Sequence, residues 1–476
     1  MSAQAALMPR EGPALRVSGL SYQIDDAKLL TDIDFSLEAG EVASICGPTG
    51  SGKTTLGLVL ADLLPADIAE RDLIGLPHRY WEYLIGRRTF DVFDTPHPVM
   101  YIPSNPLDCL IFPSVGDELA SVGASESDIG QALKQVDLED VRDYELHQLS
   151  GGMLQRLALA RILLRRPLTV IADETHEWLD EHGLKIFQEV LHAVTNKGGV
   201  GFVFQSTTMP PVQQVAAFQS HIIRSFELKR GALAAASTNG YRAPWQGCRK
   251  RFGHTRTDSV LEVQNVSKTY RLGTGERKYV LKNATLHGRA GEWIGVQGPN
   301  GCGKSVLSRL LSGLENADSG DFAFNGARTN ASQRRRLAAY LFQFPGLQLP
   351  FRRLRHMVNQ TFPTALRDVF YKKVSLVLPG AGAEMNTMGM RPHHQRLVLL
   401  TALLMRNPQV LIVDEPTWGA DANEVADLLQ YLGQSDEHRL TVVISHNDQL
   451  LDSVCDRRYR FQRDGSVAEL PSGANA

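Results

Sequence analysis

The chain has 476 residues, 50 Lys and Arg against 52 Asp and Glu, and a formal net charge of -2, so no excess of basic residues indicates nucleic-acid binding. Its length predicts about two or three domains, each able to bury a core. Because no run of about 18 apolar residues, apolar signal-peptide core or paired cysteine spacing is present, we expect a cytosolic protein without transmembrane helices, zinc sites or disulfides.

Two stretches of the chain are repeated. "EVASICGPTGSGKTTLGLVLADLLP" returns as "EWIGVQGPNGCGKSVLSRLLSGLEN", and "LTVIADETHEWLD" returns as "QVLIVDEPTWGAD". Such repetition indicates two copies of one domain. The Ala-rich and then basic stretch between the copies has no helical periodicity and is typical of an exposed linker. We therefore predict domains over residues 1–232 and 258–476, with a linker over 233–257.

The first element of each copy is a β-rich run that leads into the pattern G-x-x-x-x-G-K-[ST]. Backbone N–H groups of such a loop surround phosphate oxygens, its lysine adds charge at the β/γ-phosphates, and its hydroxyl ligates Mg²⁺. Apolar residues at helical spacing follow at Leu56, Val59, Leu60, Leu63 and at Leu307, Leu310, Leu311, Leu314. The predicted loop residues are Gly47, Gly50, Gly52, Lys53 and Thr54 in the first copy and Gly298, Asn300, Gly301, Gly303, Lys304 and Ser305 in the second.

The next informative element is an apolar strand that ends in two acids, Asp173-Glu174 in the first copy and Asp414-Glu415 in the second. The first acid suits a water-mediated contact to Mg²⁺, and the second is placed to orient or deprotonate the water that attacks the γ-phosphate. An acidic pair at a strand end is a weak signal by itself. It becomes strong here because "LSGGMLQR" precedes the first pair at the expected distance.

Together these motifs resemble two fused ATP-binding cassettes of the ABC superfamily, over nearly all the sequence from "LRVSGLSY" onward. The resemblance implies an α/β fold of tandem P-loop NTPase domains, each with a RecA-like core, a mixed sheet and a helical subdomain. It also implies ATP and Mg²⁺ as cofactors. In this family, two ATP molecules lie between paired cassettes, and each meets the phosphate loop of one cassette and the signature sequence of the other. Pairing within the chain would then give one chain per complex.

The resemblance assigns a complete nucleotide-binding set to the second copy. Tyr270 corresponds to the adenine-stacking aromatic, and Gln343 to the glutamine that senses Mg²⁺ and water. Glu415 would be the general base, Asp421 the D-loop aspartate and His446 the γ-phosphate contact. With Ser305 and Asp414 as the remaining Mg²⁺ residues, we expect this copy to support hydrolysis.

The first copy departs from the family pattern on the nucleotide side. Tyr22 and Asp180 fit the aromatic and D-loop positions, and Thr54 and Asp173 fit the Mg²⁺ positions. Ser104 stands where the glutamine belongs, and Ser206 stands where the histidine belongs. The signature shows the opposite distribution, intact as Leu149-Ser150-Gly151-Gly152 in the first copy and replaced by Gly389-Met390-Arg391-Pro392 in the second.

Pairing of the copies collects these losses in one site. The complete second set would face Ser150, Gly151 and Gly152, whereas the depleted first set would face "MRPHH". Removing one preorganised donor to transition-state charge commonly lowers the rate ~10²–10³-fold. We therefore expect one hydrolytic site and one degenerate site that still binds ATP through Lys53 and Thr54. The roles of His393 and His394 stay open.

The stretches after the glutamine positions, "NPLDCLIFPSVGDELA" and "FQFPGLQLPFRRLRH", resemble the "NPxxQ(I/L)F" segment of energy-coupling factor (ECF) and cobalt-type ATPases. Gln348 matches its second glutamine and Cys109 does not. The resemblance implies peripheral association with the cytoplasmic membrane face, integral membrane transporter subunits as partners, no nucleic acid, and uptake of a vitamin or metal micronutrient. The alternatives are the ATPase of another importer or an exporter, and a soluble tandem-cassette factor of the translation type.

Overall fold

The computed structural model describes residues 15–24, 27–61, 63–64, 99–205, 223–236, 259–271, 277–299, 301–434 and 439–470. The chain divides into two compact units, Met1–Tyr241 and Arg242–Ala476. The first contains β1 (Leu15–Ile24), β2 (Ala27–Leu37), β3 (Val42–Cys46), α1 (Lys53–Leu60), β4 (Val99–Ile102), α2 (Val115–Ala120), α3 (Glu126–Gln135), α4 (Gly151–Arg165), β5 (Thr169–Asp173), α5 (Glu181–Thr195), β6 (Val200–Gln205), β7 (Ile223–Lys229) and β8 (Ala232–Ala235).

The second unit follows the same plan with additional strands. It contains β9 (Ser259–Arg271), β10 (Arg277–Arg289), β11 (Trp293–Gln297), α6 (Lys304–Leu311), β12 (Ser319–Phe324), β13 (Ala327–Arg328), α7 (Ala331–Leu337), β14 (Ala338–Leu341), α8 (Leu354–Thr361), α9 (Thr364–Val377), α10 (Pro392–Leu404), β15 (Val410–Asp414), α11 (Ala422–Gln434), β16 (Leu440–Ile444), α12 (Asp448–Val454), β17 (Arg457–Phe461) and β18 (Val467–Leu470).

Each unit is built on a six-stranded sheet. The strand orders are β4-β5-β6-β3-β7-β8 and β14-β15-β16-β11-β17-β18, and the final strand of each sheet is antiparallel to its neighbour. Every residue of β15 and β16 is buried, as expected for parallel strands covered on both faces. The parallel strands end at one edge of the sheet, which brings together the loop after β3 or β11 and the acids after β5 or β15.

Smaller elements surround each central sheet. An antiparallel sheet of order β10-β9-β12-β13 accompanies the second unit, and the β1-β2 pair accompanies the first. Helices α2 to α4 and α8 to α10 lie between the glutamine position and the acidic strand in the chain. This mixed α/β architecture in two copies confirms the predicted fold class. None of the helices in the described part of the chain has the length and apolarity needed to cross a bilayer.

Two details differ from the sequence-based expectations. Helices α1 and α6 end at Leu60 and Leu311, so Leu63 and Leu314 lie beyond them and are 59% and 52% exposed. In the second unit Gly313 follows with φ 69, and a Cβ there would lie 2.1 Å from the Ala331 carbonyl, so the close approach of α7 requires glycine where the chain leaves α6. Strand β8 also continues to Ala235, past residue 232, and the rest of the proposed linker, 237–257, lies outside the described residues.

Candidate functional site

The lysines of the loops after β3 and β11 make the same hydrogen bonds in both units. Lys304 Nζ donates to the carbonyls of Gly298 at 2.6 Å and Pro299 at 3.0 Å, and Lys53 Nζ makes the equivalent bonds to Gly47 and Pro48 at 2.8 and 3.2 Å. Each lysine begins the following helix, so a buried cation and the first helical N–H groups lie at one place. That combination suits an anion such as phosphate. Asn300 lies outside the described residues.

The glycine before each lysine is required by the backbone. Gly52 and Gly303 have φ values of 103 and 102, and a Cβ on Gly303 would lie 2.5 Å from the Val280 carbonyl. A side chain there would be strained and would collide with the neighbouring strand. Both units therefore have the backbone geometry that a phosphate-binding loop needs.

The first acid of each strand lies against the loop hydroxyl. Thr54 Oγ1 donates to Asp173 Oδ2 at 2.8 Å, and Ser305 hydrogen-bonds to Asp414. A tyrosine of the neighbouring strand donates to the same carboxylate in each unit, Tyr101 to Asp173 Oδ2 at 2.9 Å and Tyr340 to Asp414 Oδ2 at 2.7 Å. Burial raises the pKa of Asp414 to about 6, although the hydrogen bond from Tyr340 opposes the shift.

The sequence motifs did not identify these tyrosines. Both stand three residues before the glutamine position, in "YIPS" and "YLFQ". Their occurrence at the same place in both copies is the sequence feature that could have identified them. Each hydroxyl occupies one carboxylate oxygen and thereby orients the other. In the first unit that other oxygen, Asp173 Oδ1, is buried and has no hydrogen-bond partner among the described residues.

We expect Tyr340→Phe to raise the Mg²⁺ concentration needed for half-maximal ATPase activity about 10-fold, because loss of an outer-shell partner typically weakens a metal site by 10–100-fold. The measurement is steady-state ATPase activity against Mg²⁺ at saturating ATP. Tyr101→Phe removes the same hydrogen bond in the first unit and serves as the matched control. Equal Mg²⁺ dependence of the two variants would contradict the expectation.

The second acid has different partners in the two units. Glu415 Oε1 lies 3.0 Å from His446 Nδ1, and its Oε2 accepts a hydrogen bond from Ser445 Oγ at 3.0 Å. Glu174 Oε1 lies instead 3.8 Å from Lys53 Nζ. Ser206, which stands at the histidine position of the first unit, lies outside the described residues. The predicted base and γ-phosphate histidine of the second unit are therefore direct neighbours.

The charge of Glu415 depends on its partners. Burial alone would raise the pKa of this carboxyl, but His446, Lys304 and Ser445 together hold the pKa below its ordinary value. Glu415 therefore remains ionised near neutral pH. An ionised carboxylate in this position is able to accept a proton from water.

The remaining predicted residues are placed as follows. Gln343 is half-buried after β14, and its carbonyl contacts Arg396 Nη2 at 3.5 Å. Tyr270 is half-buried in β9, where its hydroxyl donates to Glu315 Oε1 at 2.5 Å. Tyr22 is half-buried in β1. The structure thus groups the loop, acids and histidine and leaves the two tyrosines on the antiparallel strands.

The two D-loop aspartates, Asp180 and Asp421, cap helices. Asp180 Oδ1 accepts from the backbone N–H of Gly183 at 2.8 Å, and Asp421 Oδ1 accepts from those of Asn423 and Glu424 at 3.0 and 2.9 Å. A side-chain acceptor at this position satisfies N–H groups of the first helical turn. Both aspartates therefore stabilise the first turns of α5 and α11.

The signature of the first unit forms the start of α4. Ser150 is the N-cap residue, and its Oγ accepts from the backbone N–H of Met153 at 3.4 Å. A Cβ on Gly151 would lie 2.4 Å from ring carbons of Trp178, so only glycine allows the indole this close. Ser150 and Gly151 thus present a hydroxyl and N–H groups at the helix N-terminus.

The pairing of Gly389-Met390-Arg391-Pro392 with this signature is wrong by one residue. Helices α4 and α10 begin at Gly151 and Pro392, which are equally far along the chain from the strand acids Asp173 and Asp414. Met390, Arg391, Pro392 and His393 therefore occupy the positions of Leu149, Ser150, Gly151 and Gly152. The shared letters "QR" favour the pairing that is shifted by one residue. Proline, which has no N–H and a helical φ, favours the first helical position, and Pro392 occupies that position in α10.

The histidines of this segment have different surroundings. His393 is buried, and burial lowers its pKa to about 4, with Arg396 adding to the shift. His394 Nε2 lies 2.8 Å from Nη2 of Arg391, whose Nη1 donates to Glu424 Oε1 at 2.7 Å. His393 is therefore neutral at physiological pH, and it stands at the helical position that Gly152 occupies in the first unit.

Comparisons with known proteins agree with this geometry. The sequence profile of the family described as ABC transporter matches residues 30–177 and 281–418. A protein of Mycobacterium tuberculosis (strain CDC 1551 / Oshkosh), described as an uncharacterized ABC transporter ATP-binding protein, is 27% identical over 94% of this chain and 61% of its own length. A Treponema denticola protein, named as a candidate ABC transporter ATP-binding protein, is 24% identical over 96% of both chains. The chain thus spans about three-fifths of the mycobacterial relative.

A solved structure described as "Model of ribosome-bound archaeal Pelota and ABCE1" matches with a TM-score of 0.65 and 23% identity, over 97% of this chain and 78% of that chain. Likeness at this identity shows the tandem fold alone. The family match covers both copies of the phosphate loop and acidic strand. The chain therefore belongs to the ABC transporter family and carries two copies of the domain that its profile describes.

Proposed function

We propose that this chain is the energy-coupling subunit of a membrane transporter, with one hydrolytic and one degenerate ATP site. The observation that carries the asymmetry is the contact of Glu415 with His446 at 3.0 Å in the second unit, against the contact of Glu174 with Lys53 at 3.8 Å in the first. The second unit also retains Gln343 where the first has Ser104. In the proposed arrangement, the second unit works with Ser150, Gly151 and Gly152 of the first.

The residues at the strand ends fit a magnesium ion. A hydroxyl and a carboxylate lie within hydrogen-bond distance in each unit, and these hard oxygen donors suit Mg²⁺. The buried Asp173 Oδ1 has no hydrogen-bond partner in the described residues, which also suits a cation or its bound water. Ser305, Asp414 and Gln343 would hold the ion in the second unit, and Thr54 and Asp173 in the first. The ion supplies positive charge that neutralises the phosphate oxygens.

The chemistry proposed for the second unit follows from its side chains. Lys304 places positive charge at the β/γ-phosphates, and Glu415 accepts the proton of the attacking water. His446 orients Glu415 and adds a donor toward the γ-phosphate, while Gln343 positions the water. The first unit would bind ATP through Lys53 and Thr54 and turn it over slowly or not at all.

An exposed apolar segment supports attachment to membrane subunits. Ile111 is 82% exposed, Leu107 is 51% exposed, and Leu347, in the corresponding segment of the second unit, is 73% exposed. The backbone of Ile111 is held rigidly, because its N–H and that of Phe112 donate to the buried Glu118 at 2.8 Å. Glu118 in turn lies 3.3 Å from Arg161. Large apolar side chains held rigidly in solvent are typical of docking surfaces.

The ECF-type identity is proposed from the same segment. Gln348 makes two hydrogen bonds that brace β14, from the Phe342 N–H to Oε1 at 2.8 Å and from Nε2 to the Tyr340 carbonyl at 2.7 Å. Cys109 replaces it in the first unit, where its thiol donates to the Pro106 carbonyl at 3.2 Å. A glutamine at this place therefore supports the strand that carries Tyr340, and cargo selection would belong to the membrane partners.

The test is recovery of the tagged full chain from detergent-solubilised membranes of its native host, with mass spectrometry of the co-purified proteins. We expect integral membrane proteins in the wild-type sample and about tenfold less of them with Ile111→Glu, because an apolar contact at an interface centre typically contributes that much. ATPase activity should be unchanged. Leu314→Glu, at a leucine that is 52% exposed in the second unit, is the matched control.

Recovery with ribosomal proteins instead would contradict the transporter proposal and favour the translation-type alternative. Equal recovery of membrane proteins with Ile111→Glu and Leu314→Glu would contradict the docking role of the Ile111 segment. The fold likeness to a ribosome-bound archaeal protein does not choose between these functions, because at 23% identity it reflects the tandem architecture alone.

A further inference from the structure

A buried arginine joins two segments of the second unit. Arg396 of α10 is 0% exposed, and its Nη2 donates to the carbonyls of Glu415 at 3.4 Å and Gln343 at 3.5 Å. The guanidinium also lies 5.7 Å from the ring centre of Trp418. Trp418 packs edge-on against Phe344 with ring centroids 4.9 Å apart. Because Phe344 follows Gln343 and Trp418 follows Glu415 by three residues, all these contacts join the glutamine segment to the acid loop.

In the first unit, different residues contact the corresponding backbone. Gln155 is the fifth residue of α4, as Arg396 is of α10, and it is 0% exposed with no hydrogen-bond partner for its side chain among the described residues. The carbonyl of Ser104, at the glutamine position, accepts instead from the indole N–H of Trp178. A buried N–H group therefore holds this carbonyl in each unit. Arg396 holds, in addition, the carbonyl of the second acid.

A buried cation at the Arg396 position lowers the free energy of unfolding unless neighbouring groups compensate for its lost hydration. Burying a guanidinium is unfavourable without acceptors and aromatic faces around it. The neutral Gln155 occupies the same helical position in the first unit, so packing of the helix does not require the charge. The guanidinium instead reaches two carbonyls that belong to residues with proposed roles in hydrolysis, which glutamine is too short to reach together.

We infer that Arg396 is a positioning residue for ATP hydrolysis. It holds the backbones of Gln343 and Glu415 at a fixed separation. The Gln343 amide and the Glu415 carboxylate are then able to contact the same water molecule. Reaction rates respond steeply to such separations, since misplacement by an ångström is able to lower a rate on the order of 10²-fold. The inference rests on the proposed hydrolytic role of the second unit.

The test is Arg396→Gln in the full chain, which installs the residue found at this position in the first unit. We expect kcat per folded molecule to fall about tenfold while KM for ATP changes less than about twofold, because the loss affects the reacting geometry and not ATP binding. Folded molecules are counted by binding of trinitrophenyl-ATP. Arg396→Lys, which keeps the charge and a donor, should recover part of kcat.

Arg334→Gln is the matched control. Arg334 is also a buried arginine of the second unit, 4% exposed, with its Nε donating to the Leu310 carbonyl at 2.8 Å and its guanidinium 4.1 Å from the Phe322 ring. This variant should lower the melting temperature through lost packing and leave kcat per folded molecule unchanged. A merely structural Arg396 would behave in the same way, so equal kcat values for the two variants would overturn the inference.

Glu415→Gln distinguishes a failure of the proposed hydrolytic role of the second unit from a failure of the positioning role of Arg396. If it leaves turnover intact, the assignment of hydrolysis to the second unit fails, and with it the basis of the inference. If it abolishes turnover while Arg396→Gln retains the wild-type kcat, only the role of Arg396 is overturned. A fall in kcat in both variants, with partial recovery in Arg396→Lys, supports both.

Discussion

Glu415→Gln is expected to lower steady-state ATPase activity on the order of 10³-fold, because the amide keeps the shape of the side chain and removes a proton acceptor worth 10²–10⁴-fold. The geometry supports this because Glu415 is buried, ionised, and held by His446 at 3.0 Å and by Ser445 at 3.0 Å. The measurement is phosphate release at saturating Mg²⁺ and ATP. Binding of trinitrophenyl-ATP should persist, since Lys304 and the loop are untouched.

Glu174→Gln is the control for this prediction. It removes the corresponding carboxylate of the first unit, which lies 3.8 Å from Lys53. If that unit contributes little turnover, activity should fall less than about twofold, because only a slow parallel reaction is lost. The reverse result, with activity abolished by Glu174→Gln and retained by Glu415→Gln, would place hydrolysis in the first unit and refute the proposed asymmetry.

Ser150→Arg is the second change with a large expected effect. It installs at the first signature the residue that Arg391 provides at the same position of the second unit. Removal of a donor preorganised for transition-state charge commonly lowers kcat ~10²–10³-fold, and the longer side chain also displaces the helix N-terminus. We expect a fall of this size in ATPase activity, although Ser150 lies in the other unit from Glu415.

Arg391→Ser provides the matched change in the second unit. Arg391 is held by Glu424 at 2.7 Å, and its replacement should leave turnover near the wild-type value because the second signature faces the degenerate site in the proposed arrangement. In the Ser150→Arg variant, loss of the Ser150 cap is expected to destabilise α4 by about 1 kcal/mol. A thermal melt measures this effect separately from the loss of activity. A large loss of activity in Arg391→Ser with none in Ser150→Arg would refute the proposed cross-pairing.

The motifs were predictable because their chemistry is local. A phosphate loop needs glycine at particular backbone angles, a lysine at the start of the next helix and a hydroxyl beside it, and all of these are contiguous at Gly303, Lys304 and Ser305. The acid pair at Asp414 and Glu415 is also a local pattern, an apolar strand that ends in two carboxylates, but a weaker one, which became clear because "LSGGMLQR" precedes the corresponding pair of the first copy. The duplication repeated both patterns and thereby indicated two copies of one α/β fold.

Other parts of the site were not predictable from local patterns. The register of the second signature depended on where α10 begins, and the letters "QR" favoured a shift of one residue. The contacts of Tyr340 with Asp414 and of Glu415 with His446 join strands that are neighbours in the sheet and distant in the chain.

The sequence by itself therefore determined the family, the duplication and the presence of Gln343 and His446 in the second copy where the first has Ser104 and Ser206. The tertiary structure decided which side chains those residues meet: His446 on Glu415, Lys53 on Glu174, and Arg396 between the backbones of Gln343 and Glu415. The physical reason is that a backbone motif is encoded in consecutive residues. A buried hydrogen bond or ion pair depends instead on how far apart packing brings segments that are separated in the chain.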